Sequence, residues 1–143
     1  MRYVIVLALA AFALTACSSR QLEKPRTGKL ADRVGGSSGI AKIVGAFHST
    51  LVKDDQLKMH FRDGKPKNFR ESMTAFLCQK IKATCAEGTS EDEAKVAVLF
   101  TGDEFEMFVQ LFIVAMNDTE LPQQEQNDLL QAMMAMRSDV VLR

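Results

Sequence analysis

The sequence predicts an all-α domain carried behind an export segment. Three observations lead there. Apolar residues recur at three- and four-residue spacings from residue 30 onward, the period of one helix face. No stretch keeps the two-residue alternation of a half-buried strand. Two Ser/Thr-x-x-Glu patterns, Ser90 to Glu93 and Thr101 to Glu104, open apolar runs in the way of helix capping boxes.

Residues 1–16 read as a targeting segment. Arg2 supplies the positive start, and Tyr3 to Leu14 is an uncharged apolar run. Its length suits a signal-peptide core and is short for a bilayer span. The run ends in Leu14-Thr15-Ala16-Cys17. This quartet resembles a bacterial lipobox, which implies cleavage before Cys17 and acylation of its thiol. Two or more acyl chains give stable anchoring where one is marginal. Ser18 after the cysteine implies the outer membrane under enterobacterial-type sorting. Residues 17–29 are then a lipidated cysteine and a polar tether without periodicity.

Removing residues 1–16 leaves 17 Lys and Arg against 18 Asp and Glu, a formal charge of −1. That balance argues against a nucleic-acid partner. Residues 30–143 suffice for one compact domain and not two.

Within that domain, Leu30 to Val34 is expected to be a short opening turn, broken by Gly35-Gly36. Ser37 or Ser38 can cap the next helix. Ile40, Ile43, Val44, Phe47 and Leu51 form one face of that helix, which Asp54-Asp55 should end. Leu57 to Phe61 is a short apolar turn. Phe69, Met73, Phe76, Leu77 and Ile81 make a second amphipathic face. The Ser90 box opens a short helix through Leu99. The Thr101 box opens a strongly apolar one with Phe105, Phe108, Val109, Phe112, Ile113 and Met116 inward. Pro122 suits the first turn of a last helix that runs to about Val141, with Leu129, Leu130, Met133 and Val140 inward.

With Cys17 acylated, Cys78 and Cys85 remain. An exported chain with an even count favours a disulfide, with two reduced thiols as the alternative. One straight helix would hold the two apart by about 10 Å, beyond the roughly 7 Å Cα limit for a bridge. Pairing therefore requires the helix to end soon after Cys78 and Ile81 to Thr84 to turn back.

The order of elements, with Leu30-Ala31-Asp32-Arg33-Val34-Gly35-Gly36, Gly39 to Val44 followed by Phe47, Phe76-Leu77-Cys78, Phe100-Thr101 with Glu104-Phe105, and Arg137-Ser138-Asp139, resembles a truncated haemoglobin of group I. That family has a two-over-two helical sandwich around haem and binds oxygen or nitric oxide. The resemblance implies that Phe61 packs on the haem edge and that Cys78 and Cys85 pair as in exported relatives. It puts His48 at the distal tyrosine position and Phe69 and Met73 on the distal side. It also puts Lys95 where the proximal histidine belongs, with no histidine one residue to either side.

A lysine ligates iron only as the neutral amine, which its ordinary pKa of about 10.4 opposes. Glu91, Asp92 and Glu93 would hold it charged. His48 is the better ligand, from the distal face, with Met73 or Lys95 opposite. Two readings result. One is a membrane-anchored, periplasm-facing haem globin with an atypical site, whose metal ligands would be His48 and Lys95 and whose partner would be a diatomic gas. The other is a haem-free globin fold serving as a binding or structural module of the cell envelope. No Cys/His nucleophile pair, zinc pattern or phosphate loop suggests an enzyme.

Overall fold

The computed structural model describes residues 26–61, 68–83 and 98–142. Seven helices lie in these stretches: α1 (Leu30–Arg33), α2 (Gly36–Leu51), α3 (Lys58–Phe61), α4 (Phe69–Lys80), α5 (Gly102–Asp118), α6 (Gln123–Met134) and α7 (Arg137–Val140). No strand occurs among the described residues. One isolated parallel bridge joins Phe100 to Val141. The all-α expectation holds, and the four long helices form two layers. α2 and α4 make one and α5 and α6 the other, with α2 packed on α5 and α4 on α6.

The entry into α2 depends on glycine. Gly35 and Gly36 have φ of +83° and +64°, the left-handed region that side chains disfavour. They turn α1 sharply onto α2. Four residues on, a Cβ at Gly39 would stand 1.8 Å from the Val34 carbonyl oxygen, so nothing larger fits under this corner. Gly35 is the residue that precedes the first turn, and Ser37 and Ser38 lie inside it. The serine cap expected from the sequence is therefore replaced by a backbone turn.

Elsewhere the inward faces are largely those the spacing predicted, with Ile81, Val109, Ile113 and Leu130 only half-buried. Ile40, Ile43, Val44, Phe47 and Leu51 are buried, as are Phe69, Met73, Phe76 and Leu77. α2 ends at Leu51, before Asp54-Asp55. α5 opens on a complete capping box: Glu104 N–H donates to Thr101 Oγ1 at 3.3 Å, and Thr101 N–H donates to Glu104 Oε2 at 2.7 Å. Pro122 precedes the first residue of α6 and does not occupy its first turn.

The last helix is not continuous. It stops at Met134 and resumes at Arg137, which lets the chain bend back until Val141 reaches Phe100. Phe100 N–H donates to the Val140 carbonyl and Leu142 N–H to the Phe100 carbonyl, at 2.7 and 2.8 Å. The helix expected to run through Leu99 does not include Val98 or Leu99, and its start at Ser90 lies outside the described residues.

α4 ends at Lys80, two residues past Cys78. Lys82 then takes a positive φ of 54°, and Ala83 N–H donates to the Cys78 carbonyl at 2.9 Å. This is the early end and backward turn that a Cys78–Cys85 bridge requires. Cys78 is fully buried. Cys85, like Cys17, lies outside the described residues.

Candidate functional site

α2, α3, α4 and α5 all direct phenylalanines to one point between the layers. Phe108, at the middle of α5, is the hub. Its ring lies 4.8 Å from Phe47 and Phe100, 6.0 Å from Phe61, 6.3 Å from Phe105 and 6.4 Å from Phe69, centroid to centroid. Phe112, one turn on, reaches Phe47 at 5.1 Å. Phe61 and Phe69 meet edge to face at 4.8 Å. Most of these spacings are those of favourable aromatic pairs. The sequence showed each phenylalanine as an inward position on its own helix. Their convergence depends on how the helices cross.

Four of the five residues expected around a cofactor are therefore placed. Phe61, Phe69 and Met73 come together in this interior, with 1, 3 and 0% of their surface open to water. His48 sits at its edge, half-buried, with its ring 5.8 Å from that of Phe69. Lys95 lies outside the described residues. Burial lowers the His48 pKa, the neighbouring Arg70 charge lowers it further, and Glu71 opposes both. The imidazole is thus held neutral.

This shift makes stability depend on pH. A histidine with a depressed native pKa binds fewer protons folded than unfolded once the pH falls below 6.5. Its full stabilising contribution is present above pH 6.5, and it is lost as the pH falls towards the native value. Denaturant melts should therefore show a smaller loss of stability from pH 7 to pH 5 in His48→Gln than in the parent. Equal losses in both would mean that His48 titrates normally.

The other histidine has a different task. His60, on α3, shares a hydrogen bond of 3.1 Å between Nε2 and Glu104 Oε1. Its ring also stands edge-on to Phe100 at 5.5 Å. It links α3 to the cap of α5. The Glu104 carboxyl is held below its ordinary value first by the Thr101 backbone N–H and then by His60.

A second polar feature escaped sequence reasoning. Arg33, at the end of α1, donates from Nη1 to Glu125 Oε1 at 2.7 Å and from Nη2 to Asp128 Oδ2 at 2.8 Å. Glu125 is completely buried, on the first turn of α6. Glu125 Oε2 and Arg33 Nε, both buried, make no hydrogen bond. The partners are 92 and 95 residues apart in sequence. The available signal was a lone arginine in the opening motif and two acids spaced i, i+3 on a helix.

An open groove of about 460 Å³ lies on the surface and is lined by Met134, Ala135, Arg137, Ser138, Val141 and Leu142. None of the four placed residues, His48, Phe61, Phe69 and Met73, borders it. Among the described residues, no group of three or more His, Cys, Asp or Glu side chains gathers as a metal site would.

The layered arrangement has counterparts among solved structures. The chain superposes on the Fe(III) form of truncated haemoglobin from Tetrahymena pyriformis with a TM-score of 0.65 and 14% identity. The match covers 81% of this chain and all of that one. A single-site mutant of the same haemoglobin, also in the Fe(III) form, matches with a TM-score of 0.64 and 16% identity, over the same shares. This chain has the truncated-haemoglobin fold. No family profile and no curated protein matches the sequence.

The truncated-haemoglobin fold raises the question of whether these residues suit haem. A porphyrin between two side chains needs about 7 Å, two van der Waals layers of roughly 3.5 Å each. Phe61, Phe69 and Phe108 lie against one another instead, with ring centroids 4.8 to 6.4 Å apart. More tellingly, a haem-sized void beside Phe61, Phe69, Met73, Phe100 or Phe105 would leave their surfaces open, and protein atoms close over all five. In this arrangement the described residues Phe61, Phe69 and Met73 do not fit the group.

Proposed function

We propose that this chain is a lipid-anchored, haem-independent globin-fold module of the bacterial cell envelope, related to group I truncated haemoglobins and acting by binding. The observation that carries this reading is the closed phenylalanine interior: the surfaces that would face a cofactor are already satisfied by each other. Lys95 at the proximal position supports it, because an ammonium beside Glu91, Asp92 and Glu93 does not ligate iron. The lipobox at Cys17 and the signal-like residues 1–16 support acylation and a periplasm-facing domain, with the outer membrane favoured by Ser18. The early end of α4 after Cys78 supports a Cys78–Cys85 bridge.

A haem titration of residues 17–143 tests this. The reading expects no saturable one-to-one complex and no sharpened Soret band, in a protein that melts cooperatively without haem. The competing reading, an atypical haem protein that binds oxygen or nitric oxide, is favoured by one feature, the neutral His48 imidazole at the rim of the cluster. A saturable complex that His48→Ala abolishes would establish that reading and overturn ours.

A further inference from the structure

The break in the last helix opens a groove at the far end of α6. α6 stops at Met134, the chain passes Ala135 and Met136, and α7 starts at Arg137. Beyond α7 the backbone is extended at Val141, with φ −96° and ψ 126°. Phe100 N–H donates to the Val140 carbonyl and Leu142 N–H to the Phe100 carbonyl. These two bonds hold the wall formed by Val141 and Leu142 in place before any ligand arrives. The groove volume of about 460 Å³ lies within the roughly 300–1,000 Å³ of small-molecule clefts.

Two chemistries meet in this groove. Met134 and Leu142 are 39% and 56% exposed, and with Ala135 and Val141 they give it an apolar lining. The flexible Met134 thioether adapts readily to an unbranched chain. Arg137 supplies the opposite character. Its guanidinium lies over the Phe105 ring at 5.4 Å from the centroid, and it makes no ion pair among the described residues. Phe105 is wholly buried, so the ring is a fixed platform. A ring attracts the cation through its face, and the planar fork of donors stays available to a carboxylate. Asp139 does not line the groove, and its carboxylate accepts from Ser138 Oγ at 3.3 Å. One unpaired cation offsets one negative charge, which suits a monoanion better than a doubly charged phosphate.

We propose that this groove binds a free fatty acid, with the acyl chain along Met134, Ala135, Val141 and Leu142 and the carboxylate on Arg137. An apolar trough with a single unpaired cation in its wall is complementary to a single-tailed carboxylate in both shape and charge. The inference gives a ligand to the binding role proposed above and rests on that reading only for a role by binding. The groove shares none of its lining with His48, Phe61, Phe69 or Met73. Haem titration and fatty-acid titration can therefore fail independently.

The test uses residues 17–143 with Cys17→Ser, which retains every described helix and brings no acyl chain of its own. Decanoate below its micellar concentration is the probe. Decyltrimethylammonium has the same chain with the opposite charge, and acetate has the head group without the chain. Titration followed by amide NMR shifts should give a saturable one-to-one complex with decanoate, centred on residues 134–142. Decanoate should bind at least about tenfold more tightly than decyltrimethylammonium, the worth of one charge-assisted contact. Acetate should produce no saturable shifts. Arg137→Gln should remove the preference for the anion. Leu142→Ser, at an exposed side chain, should weaken both long-chain probes, in variants whose circular dichroism melts match the parent. No saturable complex, equal affinity for the two charges, or shifts centred on Phe61, Phe69 and Phe108 would overturn the proposal. So would a dimer in sedimentation velocity that buries this groove and excludes decanoate, because a second copy would then be its occupant.

Discussion

Phe108→Ala is expected to lower stability by about 3–5 kcal/mol, the range for truncating a buried phenylalanine. For a domain of this size that corresponds to a fall in Tm of roughly 12–20 °C. The physical reason is the number of surfaces the ring completes. Phe47, Phe61, Phe69, Phe100 and Phe105 each lose an aromatic neighbour when it goes. These five come from α2, α3, α4, α5 and the stretch before α5, so no single helix can shift to refill the space. Leu99→Ala, at a side chain 59% exposed, should change stability by less than about 0.5 kcal/mol. Thermal and denaturant melts of the two variants check the contrast. A loss below about 1 kcal/mol for Phe108→Ala would mean that the centre collapses readily, and hence that it is not tightly packed.

The second large effect lies at Arg33. Arg33→Ala leaves the Glu125 carboxylate buried with neither cation nor hydrogen bond, and Glu125→Ala removes the anion that holds α1 on α6. Leaving one partner of a buried ion pair uncompensated is strongly destabilising. Each single change should lower Tm by roughly 10 °C or more. The double variant Arg33→Met, Glu125→Leu should recover much of that loss, because two apolar side chains need no compensating charge. Asp128 is 37% exposed in its side chain, and Asp128→Ala should cost much less. If the double variant is as unstable as the singles, the pair contributes more than mutual neutralisation. The Arg33 charge is stabilised first by the Asp128 hydrogen bond, against partial burial, and then by Glu125.

The sequence alone determined much of this protein. Helical periodicity on α2, α4 and α5 located the buried faces, because 3.6 residues per turn repeats locally whatever the helix packs against. The capping box at Thr101 was legible for the same reason, since both of its hydrogen bonds close within three residues. Gly35-Gly36 marked the corner between α1 and α2, where a left-handed backbone admits little else. The early end of α4 could be argued from the span of a disulfide.

The tertiary structure decided the rest. Nothing local indicated that seven phenylalanines from five segments would converge, because each inward face is compatible with a cofactor or with other side chains. Which of the two fills the centre depends on how closely the layers approach. Arg33 and Glu125 are 92 residues apart, and each alone reads as an ordinary surface charge. His60 and Glu104 are 44 residues apart, and only the approach of α3 to the start of α5 brings them together. The break after Met134 accompanies the pairing of Val141 with Phe100, a contact across 41 positions in the numbering. Local patterns are written in neighbouring residues and can be read there. Closure of the core and pairing of distant charges are properties of the packed layers, and only the assembled fold could decide them.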